Sequence, residues 1–285
     1  LRFPYLVAGL VVLCTAAASH AAVVADKDRF GNVDGRGAID RKAEQLGLST
    51  ADVEQLRAAT GYIVCPGSTA RNGIVASAAL VESVRVIVTV GHAFVDEKGL
   101  PRAPIEDCLF RNQAVPPVEV RLSGGDALWV GLRGAAKPHD PNDYAVAILS
   151  RPVEGATPLK LNDPIGGIGL NDHVVGIVAW QEIEGQKLDP GTPVVQDCVL
   201  RDFDASNGTQ PTNYLTDCDL GPVGSGGHIV VKAGRNWVTG GVFSTTGGER
   251  SVGRTFNRKL GSYTRVIAVD GGLGMAVERA VAAVK

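Results

Sequence analysis

The sequence predicts an all-β protein, on three observations. From Gly61 onward, short runs rich in Val, Ile and Leu alternate with clusters of Gly, Pro, Asn and Asp, the punctuation of strands and tight turns. The chain is 45% hydrophobic but only 5% aromatic, with 36 glycines, so Val, Ile, Leu and Ala must fill the core. Helical spacing is confined to the two ends. Many short strands with Gly/Pro turns imply a barrel or a sandwich, and 285 residues are ample for one large unit or two small barrels.

In chain order, Arg2 precedes an apolar run from Tyr5 to Ala18, and Ser19-His20-Ala21 supplies small residues for cleavage. Residues 1–21 therefore read as a signal peptide cut after Ala21. The run is shorter than the ~20 residues a spanning helix needs, and Leu13 before Cys14 does not fit a lipoprotein site. The mature chain is expected to be secreted or periplasmic, with no membrane segment. Residues 22–60 form an N-terminal extension, a strap on the barrel or a removable pro-segment. Within it, Asp26–Gly37 reads as a loop, Ile39–Leu46 as a short helix, and Ala51–Ala59 as a helix capped by Ser49 or Thr50, with Asp52 or Glu54 in its first turn. Asp26-Lys27-Asp28 fails as a calcium loop, because Phe30 takes a ligand position and Gly37 stands where the closing Glu belongs.

The strand candidates are Tyr62–Cys65, Ile74–Ala78, Val84–Val90, Val118–Leu122, Leu128–Leu132, Tyr144–Leu149, Val174–Trp180, Val194–Leu200, His228–Val231, Trp237–Phe243 and Tyr263–Val266. A last helix is expected over Leu273–Ala283, with Met275, Val277, Ala280 and Val281 on its apolar face. The formal net charge is -2, without a block of like charges, so no nucleic-acid surface is predicted. Beyond the signal segment Cys65, Cys108, Cys198 and Cys218 remain. An even number in an exported chain reads as two disulfides, with three possible pairings. No C-x-x-C pair is present, so no zinc site, and no other metal or cofactor, is expected.

The chemistry concentrates in three segments. Cys218-Asp219-Leu220-Gly221-Pro222-Val223-Gly224-Ser225-Gly226-Gly227 puts a serine in a glycine-rich turn. There it can present its hydroxyl, while the N–H groups of Val223, Gly224 and Ser225 are candidates for an oxyanion hole. A serine needs a base to take its proton. Val86-Ile87-Val88-Thr89-Val90-Gly91-His92-Ala93 carries His92 in a small-residue turn after a β-run, and Asn142-Asp143-Tyr144-Ala145-Val146-Ala147-Ile148-Leu149 places Asp143 at the mouth of another. The bland alternatives are a turn serine, a buried histidine and a turn-capping aspartate. His139, His173 and His228 are given structural or surface roles.

These segments, in this order, resemble the chymotrypsin-like serine proteases, whose motifs run roughly T-A-A-H-C, N-D-I-A-L-L and G-x-S-G-G. Gly261-Ser262-Tyr263-Thr264-Arg265-Val266 adds a fourth likeness, to the family's G-V-Y-T-R-V, and the similarity spans about residues 61 to 270. The resemblance implies two antiparallel six-stranded barrels, residues 61–155 and 156–270, with the active site between them and a closing helix over 271–285. It implies Ser225 as nucleophile, His92 as general base and Asp143 as the residue orienting His92. It implies the pairings Cys65–Cys108, closing a loop around His92, and Cys198–Cys218, tying down the segment before Ser225. The expected partner is a protein or peptide substrate, cleaved by a monomer.

The chain departs from the family at Val223, where glycine normally completes the oxyanion hole. A β-branched residue resists φ > 0, so the hole is either distorted or built from another backbone arrangement. This keeps a catalytically weak or inactive homologue open as the alternative. Both halves of the trypsin activation ion pair are missing: Gly224 replaces its aspartate, and no I-V-G-G sequence follows a basic residue near Gly61. Cys218-Asp219 with Pro222 looks closer to the bacterial glutamyl-endopeptidase branch. Asp219, Phe243 and Ser244 are candidate substrate-binding residues, with Gly247 beside them. Phe243 stands where that branch carries the histidine linked to glutamate preference.

Overall fold

The computed structural model describes residues 35–66, 73–96, 98–131, 140–162, 168–179, 183, 188–189, 191–204, 213–219, 224–246, 256–269 and 271–285. The expected signal peptide and Gly247 lie outside the described residues. In the first half, β1 (Gly37–Ala38) leads into α1 (Ile39–Lys42), and α2 (Thr50–Ala59) runs straight into β2 (Thr60–Val64). Then come β3 (Ile74–Leu80), β4 (Val86–Thr89), β5 (Leu109–Asn112), β6 (Glu119–Arg121), β7 (Leu128–Val130) and β8 (Ala145–Ile148). The second half holds β9 (Lys160–Leu161), β10 (His173–Val178), β11 (Val194–Phe203), β12 (Asn213–Thr216), β13 (His228–Ala233), β14 (Asn236–Thr246), β15 (Thr264–Ala268) and α3 (Gly271–Ala283).

The fold is all-β, as the turn-punctuated runs predict. In the second half, strands β11-β10-β13-β14-β15-β12 pair in that order and β12 returns to β11, closing a six-strand antiparallel barrel. Closure leaves no free edge. In the first half, β6-β5-β2-β3-β4-β8-β7 form a seven-stranded antiparallel sheet. It curls into a half-barrel in which the chain after β6 meets the chain after β8 at one bridge, Leu122 to Leu149. There Ser123 N–H donates to the Ile148 carbonyl at 2.8 Å and Ser150 N–H to the Arg121 carbonyl at 3.0 Å.

Each sheet buries an aliphatic core. Ile63, Leu80, Ile87, Phe110 and Val146 fill the first, beneath α3. Helix α3 buries Leu273, Ala276, Val277 and Ala280, at the i, i+3, i+4, i+7 spacing of one helical face. That corrects the expected face: Met275 is exposed and Leu273 is the anchor. Val174, Leu200, Ile229, Phe243 and Val266 pack the closed barrel with Cys198 and Cys218. The disulfides are Cys65–Cys108 and Cys198–Cys218, as expected.

The described part of the N-terminal extension is built into this core. Ile39 and Leu56 pack with Ala79 of the half-barrel and with Ile177, Val195, Val230 and Trp237 of the closed barrel. Ser49 caps α2: its hydroxyl accepts from Asp52 N–H at 3.2 Å, and Asp52 Oδ2 accepts from Ser49 N–H at 3.0 Å. Two orphan donors of the helix end are thereby satisfied reciprocally. Asp52 also accepts from Lys232 Nζ at 2.7 Å and from Trp237 Nε1 at 3.1 Å, which moors the helix to the β13–β14 hairpin. Burial alone would raise the pKa of this carboxyl, but its bonds to Lys232, Ser49 and Trp237 outweigh burial and bring it down to about 2.

His228 joins the two sheets. Its Nε2 lies 3.2 Å from the Val88 carbonyl on β4, and its Nδ1 lies 2.9 Å from Thr239 Oγ1 on β14. A carbonyl only accepts, so Nε2 carries the proton. Complete burial lowers the His228 pKa to about 4, against the partial opposing effect of the Val88 bond. The unfolded chain therefore takes up this proton first as pH falls. The contribution is whole above about pH 6.5 and is lost progressively towards pH 4, on the order of 3 kcal/mol in all. Urea unfolding measured between those limits is expected to show this slope, and His228→Gln to lack it.

Candidate active site

Strand register brings His92 to Asp143. β4 and β8 are antiparallel, with Thr89 opposite Ala145. The chain beyond Thr89 therefore meets the chain before Ala145. His92 sits in the single 3-10 turn Gly91–Ala93 that follows β4. Its Nδ1 lies 2.7 Å from Asp143 Oδ2, and its backbone N–H donates to Asp143 Oδ1 at 2.8 Å. The Asp143 side chain is 8% exposed and that of His92 33%, so one edge of the imidazole is open to solvent. A carboxylate accepts, so the hydrogen of the 2.7 Å contact is on Nδ1 and the Nε2 lone pair is free to act as a base.

Ser225 reaches the same network through Ser244. The Ser225 hydroxyl donates to the Ser244 carbonyl at 3.1 Å, and the Ser244 hydroxyl donates to Asp143 Oδ2 at 2.6 Å. The turn holding Ser225 is pinned on both sides. On the barrel side, Gly226 N–H donates to the Phe243 carbonyl and Phe243 N–H to the Gly227 carbonyl, each at 2.8 Å. On the half-barrel side, Ser77 N–H donates to the Ser225 carbonyl at 2.8 Å. Thr89, on the strand that leads to His92, donates its hydroxyl to the Ser77 carbonyl at 2.6 Å. All three expected catalytic residues thus meet where the sheets join, with His92 and Asp143 bonded directly and Ser225 tied in through the Ser244 main chain; among the described residues no hydrogen bond joins the Ser225 hydroxyl to His92.

Gly226 makes that approach possible. Its φ is +83°, and a Cβ there would fall 2.0 Å from the Ser77 carbonyl oxygen and 2.4 Å from Thr89 Oγ1. Both its conformation and its surroundings require glycine. For the oxyanion, the N–H groups of Gly224 and Ser225 have no acceptor among the described residues, whereas the Gly224 carbonyl is taken by Gly227 N–H at 3.0 Å. Val223 lies outside the described residues.

The three expected substrate-binding residues are placed differently. Phe243 and Ser244 are each only 2% exposed. The Phe243 ring packs in the barrel core, in the cluster that holds Cys198 and Cys218. The Ser244 hydroxyl is spent on Asp143. Both were expected to bind substrate; here the Phe243 ring is enclosed in the barrel core and the Ser244 hydroxyl is bonded to Asp143. Asp219 is half-buried: its N–H donates to Gln196 Oε1 at 2.7 Å and its Oδ2 accepts from Gln196 Nε2 at 3.3 Å. Of the other histidines, His173 is exposed beside Asp197 and His139 lies outside the described residues.

Sequence reasoning missed Ser244 as the link between Ser225 and Asp143, because a serine on a β-run carries no local signal of its distant partner. It also missed Ser77 and Thr89. Among the described residues, no cluster of His, Cys, Asp or Glu is grouped to hold a metal ion, and no helix is long and apolar enough to cross a membrane. Compared with known proteins, the chain matches no family model and no curated protein.

Gly226→Ala is expected to cost at least about 2 kcal/mol, because the chain must move both sheets or strain its backbone. Chemical denaturation beside a control substitution at the open turn glycine Gly234, which has nothing within 4 Å of a built Cβ, checks the steric part.

Proposed function

We propose that this chain is an exported serine endopeptidase of the chymotrypsin-like class. The observation that carries the proposal is that hydrogen bonds gather the three residues at one junction: His92 to Asp143, the Ser244 hydroxyl to Asp143, and the Ser225 hydroxyl to the Ser244 main-chain carbonyl. The closed barrel, the adjoining half-barrel and the two disulfides support it, and disulfides fit an oxidising compartment.

In this reading a peptide lies between the sheets with its carbonyl carbon above Ser225 Oγ. The Ser225 hydroxyl turns from the Ser244 carbonyl to His92 Nε2 and gives up its proton as Oγ bonds to carbon. Asp143, holding Nδ1–H, stabilises the imidazolium. The N–H groups of Gly224 and Ser225 stabilise the oxyanion. The C–N bond breaks, His92 returns the proton to the leaving amine, and water repeats the sequence on the acyl-serine. The reaction needs no cofactor and no second subunit.

Val223 favours a second reading, in which a weak or inactive homologue of the same fold binds peptides without cleaving them. A fluorophosphonate probe decides between them. The endopeptidase reading expects covalent labelling of the wild type and none of Ser225→Ala or His92→Ala, with melting temperatures showing both variants folded. Absence of labelling in the folded wild type would establish the binding module instead.

A further inference from the structure

We infer that Arg102 recognises a carboxylate on the leaving-group side of the scissile bond; this deepens the endopeptidase reading and rests on it. Arg102 Nε donates to the His92 carbonyl at 2.9 Å and to the Val95 carbonyl at 3.0 Å. The guanidinium is therefore fastened to the main chain of the residue proposed as the base. Arg102 is exposed, and its two terminal nitrogens have no partner among the described residues. A guanidinium fixed at Nε, with its outer fork open to solvent, is preorganised for a bidentate carboxylate.

The loop beneath it is braced. Val95 bridges to Pro101, and Arg102 N–H donates to the Phe94 carbonyl at 2.8 Å. Asp96 Oδ1 accepts from the N–H groups of Lys98 and Leu100, both at 2.8 Å. These bonds, with Arg102 and Lys98 nearby, lower the Asp96 pKa. Asp96 is thus committed to its own loop, and among the described residues it forms no ion pair with Arg102.

The proposed chemistry sets the side of the substrate. His92 would deliver its proton to the departing amine, so the residues that follow the scissile bond would leave past His92. A cation fastened to the His92 carbonyl is placed by this proposal beside that stretch. The carboxylate can be an Asp or Glu side chain, or the terminal carboxylate of a short leaving peptide.

The test begins with a mixed peptide library, its cleavage sites read by mass spectrometry. N-acyl peptides are then built on the best site in matched sets. One set places Glu or Gln at each of the first three positions after the scissile bond. The other ends at those positions with a free carboxylate or an amide. Each pair gives a charged-to-neutral ratio of kcat/KM within one protein, so a general loss of activity in a variant cancels. The wild type is expected to favour the charged member about three- to tenfold at one position. The set showing the preference identifies the side chain or the terminus as its source. Arg102→Gln is expected to bring the ratio near one, and Arg102→Glu to invert it. Should either variant fail to fold, the wild-type ratio is expected to fall as ionic strength rises from about 0.05 to about 0.5 M. Cleavage with equal ratios in the wild type, or a ratio unchanged in folded Arg102→Gln, overturns the role of Arg102 alone. Failure to cleave any peptide overturns the endopeptidase reading and this assignment with it.

Discussion

The carboxylate of Asp143 is where this molecule converges. It accepts from the imidazole of His92, from the backbone N–H of His92 and from the hydroxyl of Ser244. Two of those donors come from the half-barrel and one from the closed barrel. A carboxylate this deeply sheltered must have its lone pairs occupied, and here the occupying groups are those that hold Ser225 and His92 in place. Loss of any one donor would leave the same buried charge less well solvated by protein. The requirement that sets the site is therefore also a requirement of stability.

The contact between the sheets works on the same principle. His228 spans from β14 to β4, Ser77 reaches across to the Ser225 carbonyl, and the Gln113 side chain takes Thr60 Oγ1 at 3.0 Å while donating to the carbonyls of Gly191 and Ala179. These are polar groups buried between two apolar cores, each with at least one partner on the opposite side. Apolar packing would tolerate small slips between the sheets. Directional bonds at fixed distances do not, and the proposed proton transfer between side chains from both sheets would need that precision.

Much of this was legible in the chain. Runs such as Val86–Thr89 and Ala145–Ile148 are apolar on both faces and bounded by turn residues, so their β character is unambiguous. The cap of α2 was narrowed to Ser49 or Thr50 with Asp52 or Glu54, because such partners lie within one turn, and the structure selects Ser49 with Asp52. Strand β5 was hidden for a physical reason: its inward positions are Phe110 and Asn112. Asn112 is an inward polar residue satisfied by Ala58 O at 3.2 Å and Val118 N–H at 2.7 Å, which erases the usual alternation. Strand β12 was equally silent, since its pairing with β11 and β15 is long-range. Phe243 and Ser244 were read as substrate-binding from local likeness, but as neighbours on β14 they are buried on different partners, Phe243 in the barrel core and Ser244 against Asp143. Helix α1 is shorter than its pattern implied, because the chain passes into turns that end at Gly47, φ +67°.

Asp52 carries an implication for how such a chain can vary. It serves its own helix through Ser49 and a distant hairpin through Lys232 and Trp237. Removing Asp52 alone strands the Trp237 indole N–H and the Ser49 backbone N–H, and exchanging all four side chains for apolar ones would still leave the two backbone N–H groups at the helix start without acceptors. The identity of residue 52 is therefore tied at once to its own helix turn and to positions some 180 residues away, so an acceptor must be kept there whatever its partners become.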